Sequence, residues 1–149
     1  MKIIYINKTA VIILLLSFIR LSAFSQTWNG STNTNWNTAT NWTPNTVPTS
    51  ASDVIINTAA GNQPKLQNAV SINSLNLNSG ATLNLAGFTL TNATTATLSG
   101  SNIITGTTGN IICSSGSIIS CIITGDFTLK ADSNSNFPVQ GCVFKGANN

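Results

Sequence analysis

Residues 83–87 read LNLAG, residues 102–106 NIITG, residues 121–125 CIITG and residues 142–146 CVFKG. Their closing glycines, Gly87, Gly106, Gly125 and Gly146, are 19, 19 and 21 residues apart. A second echo follows two of them, FTLT at 88–91 and FTLK at 127–130. Self-similarity at a period near twenty marks a chain that winds in coils, each stacked on the last. Neighbouring strands of a sheet lie about 4.8 Å apart, so one such coil rises by one strand spacing.

Aligned on glycine, the third column holds Leu85, Ile104, Ile123 and Phe144. All are large and apolar, and this column is expected to face the core. Side chains alternate along a strand, so the first column, Leu83, Asn102, Cys121 and Cys142, is expected to point inward with it. The fourth column, Ala86, Thr105, Thr124 and Lys145, is expected to point outward. So is the second, which holds Asn84, Ile103, Ile122 and Val143. That leaves an apolar Ile103/Ile122/Val143 ridge outside, for a loop or a partner to cover.

The surrounding composition agrees. Leu75 and Leu77 alternate with Asn, as do Leu83 and Leu85, and glycines punctuate the runs. Helix formers such as Glu, Arg and Met are missing after residue 25. Thr, Ile, Val and Phe suit strands, and Asn and Gly suit turns. Asn at the turns can also stack and hydrogen-bond from one coil to the next. The expected fold is all-β, a right-handed parallel β-helix (β-solenoid) of about four coils. An irregular Trp-rich cap precedes it, with a first strand at Asp53–Asn57.

The N-terminus carries Lys2 and Lys8, then an apolar run from Ala10 to Ile19, then small residues before Gln26. That is the pattern of a secretory signal peptide. A transmembrane anchor fits less well. The eleven residues between Lys8 and Arg20 span roughly 16 Å of helix, against about 30 Å of bilayer core. The division is therefore a signal peptide at 1–25, cap and first strand at 26–64, and coils at 65–149. The expected location is secreted, extracellular or at the cell surface, with no stable membrane span after cleavage.

Export removes Lys2, Lys8 and Arg20, the source of the formal +3. What remains is Lys65, Lys130 and Lys145 against Asp53, Asp126 and Asp132, a net charge of zero. Three scattered lysines cannot replace the counterions of a nucleic acid, so nucleic acid is not an expected partner. Catalysis is equally hard to place. General acid–base chemistry needs a titrating group within reach of substrate. The chain has no His, and Asp126 and Asp132 sit by turns, where Asp is common. No enzyme, cofactor or metal is expected. Thr89/Thr91 and Thr95/Thr97 do not recur at the coil period, so they do not make a flat threonine face.

Two groups remain as site candidates. Trp28, Trp36 and Trp42 are candidate ligand-binding residues, an aromatic platform for sugar rings. The competing role, which the position favours, is to cover the open end of the first coil. Cys121 and Cys142 share a column one coil apart, within the Cα separation that a disulfide needs. Cys113 with Cys121 is a second pairing, and three free thiols a third outcome, since Cys packs well as a small hydrophobe.

The segment Trp28-Asn29-Gly30, Trp36, Asn41-Trp42, Pro48 and Asp53-Val54-Ile55-Ile56, followed by Gly80-Ala81-Thr82-Leu83-Asn84-Leu85, resembles the N-terminal region of secreted adhesin-like or autotransporter-like β-helical surface proteins of Gram-negative bacteria. The resemblance covers roughly residues 27–91. It implies a right-handed parallel β-helix, surface display and an adhesive or structural role, and it brings no catalytic residues. Two other functions stand beside that one: a carbohydrate-binding module, and the non-catalytic front of a larger β-helical polysaccharide-degrading enzyme. The partners to expect are surface polysaccharide, other envelope proteins, or a second copy meeting the last coil or the outer apolar ridge.

Overall fold

The computed structural model describes residues 24–131 and 139–145. The proposed signal peptide up to residue 23, Asp132 and Gly146 lie outside the described residues, as do the side chains of Asp126 and Phe144.

The fold is an all-β solenoid of about three turns. Its strands are β1 (Phe24–Trp28), β2 (Trp42–Thr43), β3 (Ser52–Ile56), β4 (Val70–Ile72), β5 (Ser74–Leu77), β6 (Thr82–Asn84), β7 (Thr89–Ser99), β8 (Asn102–Ile119), β9 (Ile122–Ala131), β10 (Val139–Gln140) and β11 (Val143–Lys145). Every strand pairing except β1 with β2 is parallel. The pairings form three ladders, which the chain visits in strict rotation from β4 onward.

The first ladder stacks β1, β3, β5, the end of β7, the end of β8 and β10. Its inward rows are Trp28, Ile56, Leu77, Leu98, Ile118, Val139 and Gln26, Val54, Leu75, Ala96, Gly116. The second stacks β6, the start of β8, the start of β9 and β11, with Leu83, Ile103, Ile123 and Phe144 in register. The third stacks β4, the start of β7, the middle of β8 and the end of β9. Val70, Leu90, Ile111 and Leu129 are one of its rows, and Ile72, Asn92, Cys113 and Ala131 another. The buried aliphatic members of these rows, up to Ile123, make one continuous core with the three tryptophans.

The corners explain the glycines. Where the chain leaves the first ladder for the second, Gly80, Gly100, Ser120 and Gly141 all take positive φ, between 53° and 78°. Such a backbone suits glycine, and Ser120 is the one non-glycine among the four. The corner from the third ladder to the first needs no break, and β7 and β8 run round it as long strands. Gly116 lies there, on the inward row beside Ala96. A Cβ at Gly116 would stand 1.9 Å from the Ala96 carbonyl oxygen, so the backbones approach too closely for any side chain.

The register corrects the expected columns. Ile103, not Ile104, stands over Ile123. Ile103 is fully buried and Ile104 is 38 % exposed. Leu85 is buried as expected, but it lies beyond the paired strand. The inward second-ladder row is therefore Leu83, Ile103 and Ile123, with Phe144 next in register. Asn102 is likewise not inward: it pairs with Ile122 on the outer row, and Ser101 takes the buried position. The cause is one residue. The strands pair Ile104 with Thr124, but the glycines pair Gly106 with Gly125, so an extra residue is absorbed between Ile104 and Gly106. Alignment on glycine slides that strand by one, and a one-residue slide exchanges its two faces.

A further correction concerns the start. Residues 26–50 are not wholly irregular, because β1 already pairs in parallel with β3 and is the first rung of the solenoid. The proposed cut before Gln26 would leave Gln26, Thr27 and Trp28 of that rung in place. Coil-to-coil hydrogen bonding by Asn is present where Asn78 donates to Asn57 and Asn73 Nδ2 donates to Asp53 Oδ1 at 2.7 Å.

Candidate functional site

Trp28, Trp36 and Trp42 come together at the N-terminal end. Trp42 makes edge-to-face contacts with both others, at centroid distances of 4.9 and 4.7 Å. All three rings are buried. Trp28 Nε1 donates to the Asn62 carbonyl at 2.6 Å and Trp42 Nε1 to the Trp36 carbonyl at 2.8 Å. A sugar platform needs an open ring face, and these rings turn theirs to one another and to the first core rows. β2 runs antiparallel along Thr27 and Trp28 of β1 and so covers part of the sheet edge. Together these features do what a solenoid end requires: they close the core and block strand addition.

Asn41 holds this cap together, and the sequence reading gave it no role beyond a motif position. Its side chain is fully buried. Oδ1 accepts from the backbone N–H of Thr32 at 2.9 Å and of Asn33 at 3.1 Å. Nδ2 donates to Asn33 Oδ1 at 2.8 Å and to the Asn35 carbonyl at 2.9 Å. Its backbone carbonyl accepts from Asn29 N at 2.8 Å. Two bonds accepted and two donated by one short side chain match the carbonyl oxygen and NH₂ group of an amide. The available signal was the Asn41-Trp42 pair itself: a polar residue locked beside a large apolar one, in a segment otherwise rich in exposed Asn and Thr.

Beside the cap is a cavity of about 330 Å³, lined by Phe24, Gln26, Pro44, Thr46, Val47, Thr49 and Ser52. Gln26 is buried, and its Nε2 donates to the Thr46 carbonyl at 2.8 Å and to Thr46 Oγ1 at 2.6 Å. Its Oε1 is shielded from solvent and has no partner among the described residues. The amide thus belongs to the wall and does not reach into the cavity. Phe24, one of the walls, precedes the expected cut before Gln26.

The outer surface of the first ladder is mostly polar. Along the first ladder, Thr27, Ile55, Asn76, Thr97 and Ser117 follow one another in register. The second ladder is different. Its outer rows are Thr82, Asn102, Ile122, Val143 and Asn84, Ile104, Thr124, Lys145. Ile104, Ile122 and Val143 are exposed there. An apolar outer ridge therefore exists as expected, with Ile104 in place of Ile103.

The cysteines fall on different parts of the solenoid. Cys113 is buried in the third ladder, where loss of solvent pushes its thiol pKa above the ordinary value. Cys121 and Cys142 sit on successive coils at the corner before the second ladder, beneath the paired Ile122 and Val143. All three are free thiols in the structure. Asp53, the carboxylate described in full, accepts from Asn73 Nδ2 and Ser74 Oγ and serves as a strand-to-strand clamp. Among the described residues no group of His, Cys, Asp or Glu is placed to hold a metal ion, and no helix is long and apolar enough to cross a membrane.

A parallel β-solenoid, closed at its N-terminal end by a tryptophan-packed cap, is the class of protein that these features define. The chain belongs to the family described as Domain of unknown function (DUF8693), whose model matches residues 27–135, from the middle of β1 almost to β10. No curated protein and no solved structure matches the chain.

Proposed function

We propose that the chain is an exported, surface-displayed β-solenoid with an adhesive or structural role. The observation that carries this reading is the outer face of the first ladder. It repeats neutral hydroxyl and amide groups, Asn76, Thr97 and Ser117, on three successive strands, beyond Thr27 and Ile55 in the same row. A periodic run of neutral hydrogen-bonding groups suits a periodic partner, such as a surface polysaccharide, or a flat neighbour in the envelope. The charged signal-peptide pattern at residues 1–25 supports export. The exposed Ile104, Ile122 and Val143 strip supplies an apolar contact for an envelope protein or a second copy.

The test is to express the full chain in a Gram-negative host with a small tag in the exposed Thr58–Ala59 turn. Cells are then fractionated and intact cells are treated with protease. Tag in the medium, or tag removed from intact cells, supports the proposal. Full-length tagged chain retained in the cytoplasm contradicts it. Binding of the purified protein to isolated envelope polysaccharide, weakened by Asn76→Leu together with Thr97→Leu, would assign the partner to the first ladder.

A further inference from the structure

We propose that Cys121 and Cys142 are the two halves of an intercoil disulfide that staples the last described coil to the one beneath it, with Cys113 left as a thiol. The inference concerns these residues alone and holds whether or not the chain is displayed at a surface.

Register makes the pair. Ile122 pairs in parallel with Val143, and Val143 N donates to the Cys121 carbonyl at 2.9 Å. Cys121 and Cys142, the preceding residue on each coil, are therefore stacked neighbours. Paired strands lie about 4.8 Å apart, inside the roughly 4.4–6.8 Å between Cα atoms that a disulfide spans. The two sulfurs sit in equivalent places on their coils, Cys121 Sγ 3.4 Å from the Ile119 carbonyl and Cys142 Sγ 3.4 Å from the Gln140 carbonyl. Cys121 Sγ also meets Ser101 Oγ at 3.3 Å, and Cys142 Sγ reaches the coil of Cys121, 3.5 Å from the Ile118 carbonyl. Cys113 is excluded by placement, because its neighbours across the coils are Asn92 and Ala131 on another ladder. Burial also keeps it protonated and unreactive.

Access sets the order of events. Cys142 is partly exposed and Cys121 is buried. The Cys142 thiol gives up its proton and attacks one sulfur of an external disulfide, a small-molecule or protein disulfide of an oxidising compartment. The external S–S bond breaks and one half leaves as a thiol. The Cys121 thiolate then attacks Cys142 in this mixed disulfide and the second half leaves as a thiol. Two protein thiols have lost two electrons and two protons, and the external disulfide has become two thiols. The new bond closes a loop of about twenty residues, which raises the ratio of folded to unfolded chain by on the order of a hundredfold.

Trypsin gives the test a clean readout, because Lys130 separates Cys121 from Cys142 and leaves Cys113 and Cys121 in one peptide. The purified full chain is incubated with oxidised glutathione, alkylated and digested without reduction. The expected product is peptide 66–130 joined to peptide 131–145, two hydrogens lighter than the pair. It should form also in Cys113→Ser and be absent from Cys121→Ser. Full alkylation of all three cysteines after oxidation would overturn the proposal. So would a link that survives Cys121→Ser, or a bridge found only between separate chains. Should Cys121→Ser not fold, Cys142→Ser at the partly exposed site gives the same distinction: no oxidised intrachain link is expected to remain.

Discussion

Replacing Ile103 and Ile104 one at a time separates the observed register from the one that glycine spacing suggests. Ile103 is fully buried between Leu83 and Ile123 on neighbouring coils, and Ile104, the next residue, is 38 % exposed on the outer face. Truncating a buried Ile to Ala removes three carbons and leaves a cavity, which costs about 2–5 kcal/mol. The neighbours of Ile103 are fixed by strand pairing on both sides and can collapse little, so about 3 kcal/mol is expected. Ile104 already gives much of its side chain to solvent, and its truncation should cost below about 1 kcal/mol. In urea, with an unfolding slope of about 1.5 kcal/mol per molar, those values become midpoint shifts of about 2 M and below about 0.7 M. Far-ultraviolet circular dichroism against urea reads both. Equal shifts, or a larger one for Ile104→Ala, would refute the register.

Gly116→Ala should destabilise by more than about 3 kcal/mol or abolish folding, because its Cβ would stand 1.9 Å from the Ala96 carbonyl oxygen. Soluble yield and thermal melting report it. At the corner residue Ser120, φ is 53°, and Ser120→Gly should stabilise by about 0.5–1 kcal/mol as left-handed strain is relieved against a smaller entropic cost. Asn41→Ala should cost about 2–4 kcal/mol, since the N–H groups of Thr32 and Asn33 lose a buried acceptor. Asn41→Asp should be at least as damaging, because a carboxylate would face Asn33 Oδ1 and the Asn35 carbonyl. Tryptophan fluorescence of the cap follows both variants. For Cys113 the folded state favours the neutral thiol, so its contribution to stability is full below the ordinary thiol pKa of 9.0 and declines as pH rises through the raised folded value. Urea midpoints taken up to pH 10 should therefore fall less in Cys113→Ala than in the unaltered chain.

Much of the solenoid was legible because strands announce themselves by alternation. Leu83 and Leu85 were read as inward and are buried, and so are Leu75 and Leu77, which showed the same alternation with Asn. The twenty-residue period came from glycines at corners, and there the same signal misled. A corner can take an extra residue at Thr105 without disturbing the core, whereas a strand cannot take one without turning over. Strand pairing, not glycine spacing, therefore sets which isoleucine is inside, and pairing is a property of neighbouring coils that one coil's sequence does not contain. The three tryptophans lie buried against one another at the N-terminal end, the position that in the sequence favoured a cap over a sugar platform. Asn41 was missed because its value lies in four hydrogen bonds to residues that only the folded cap brings near. Asn92, buried on the row between Ile72 and Cys113, breaks the apolar pattern of the interior, and its Nδ2 has no partner among the described residues.

Methyl-selective nuclear Overhauser spectroscopy on the isotopically labelled protein reads the stacking of coils residue by residue. Leu77–Leu98–Ile118, Leu83–Ile103–Ile123 and Leu90–Ile111 should each give a separate chain of methyl contacts between residues some twenty positions apart. Absence of those three chains, together with the close Hα–Hα contacts of antiparallel pairs throughout residues 70–131, would contradict a solenoid.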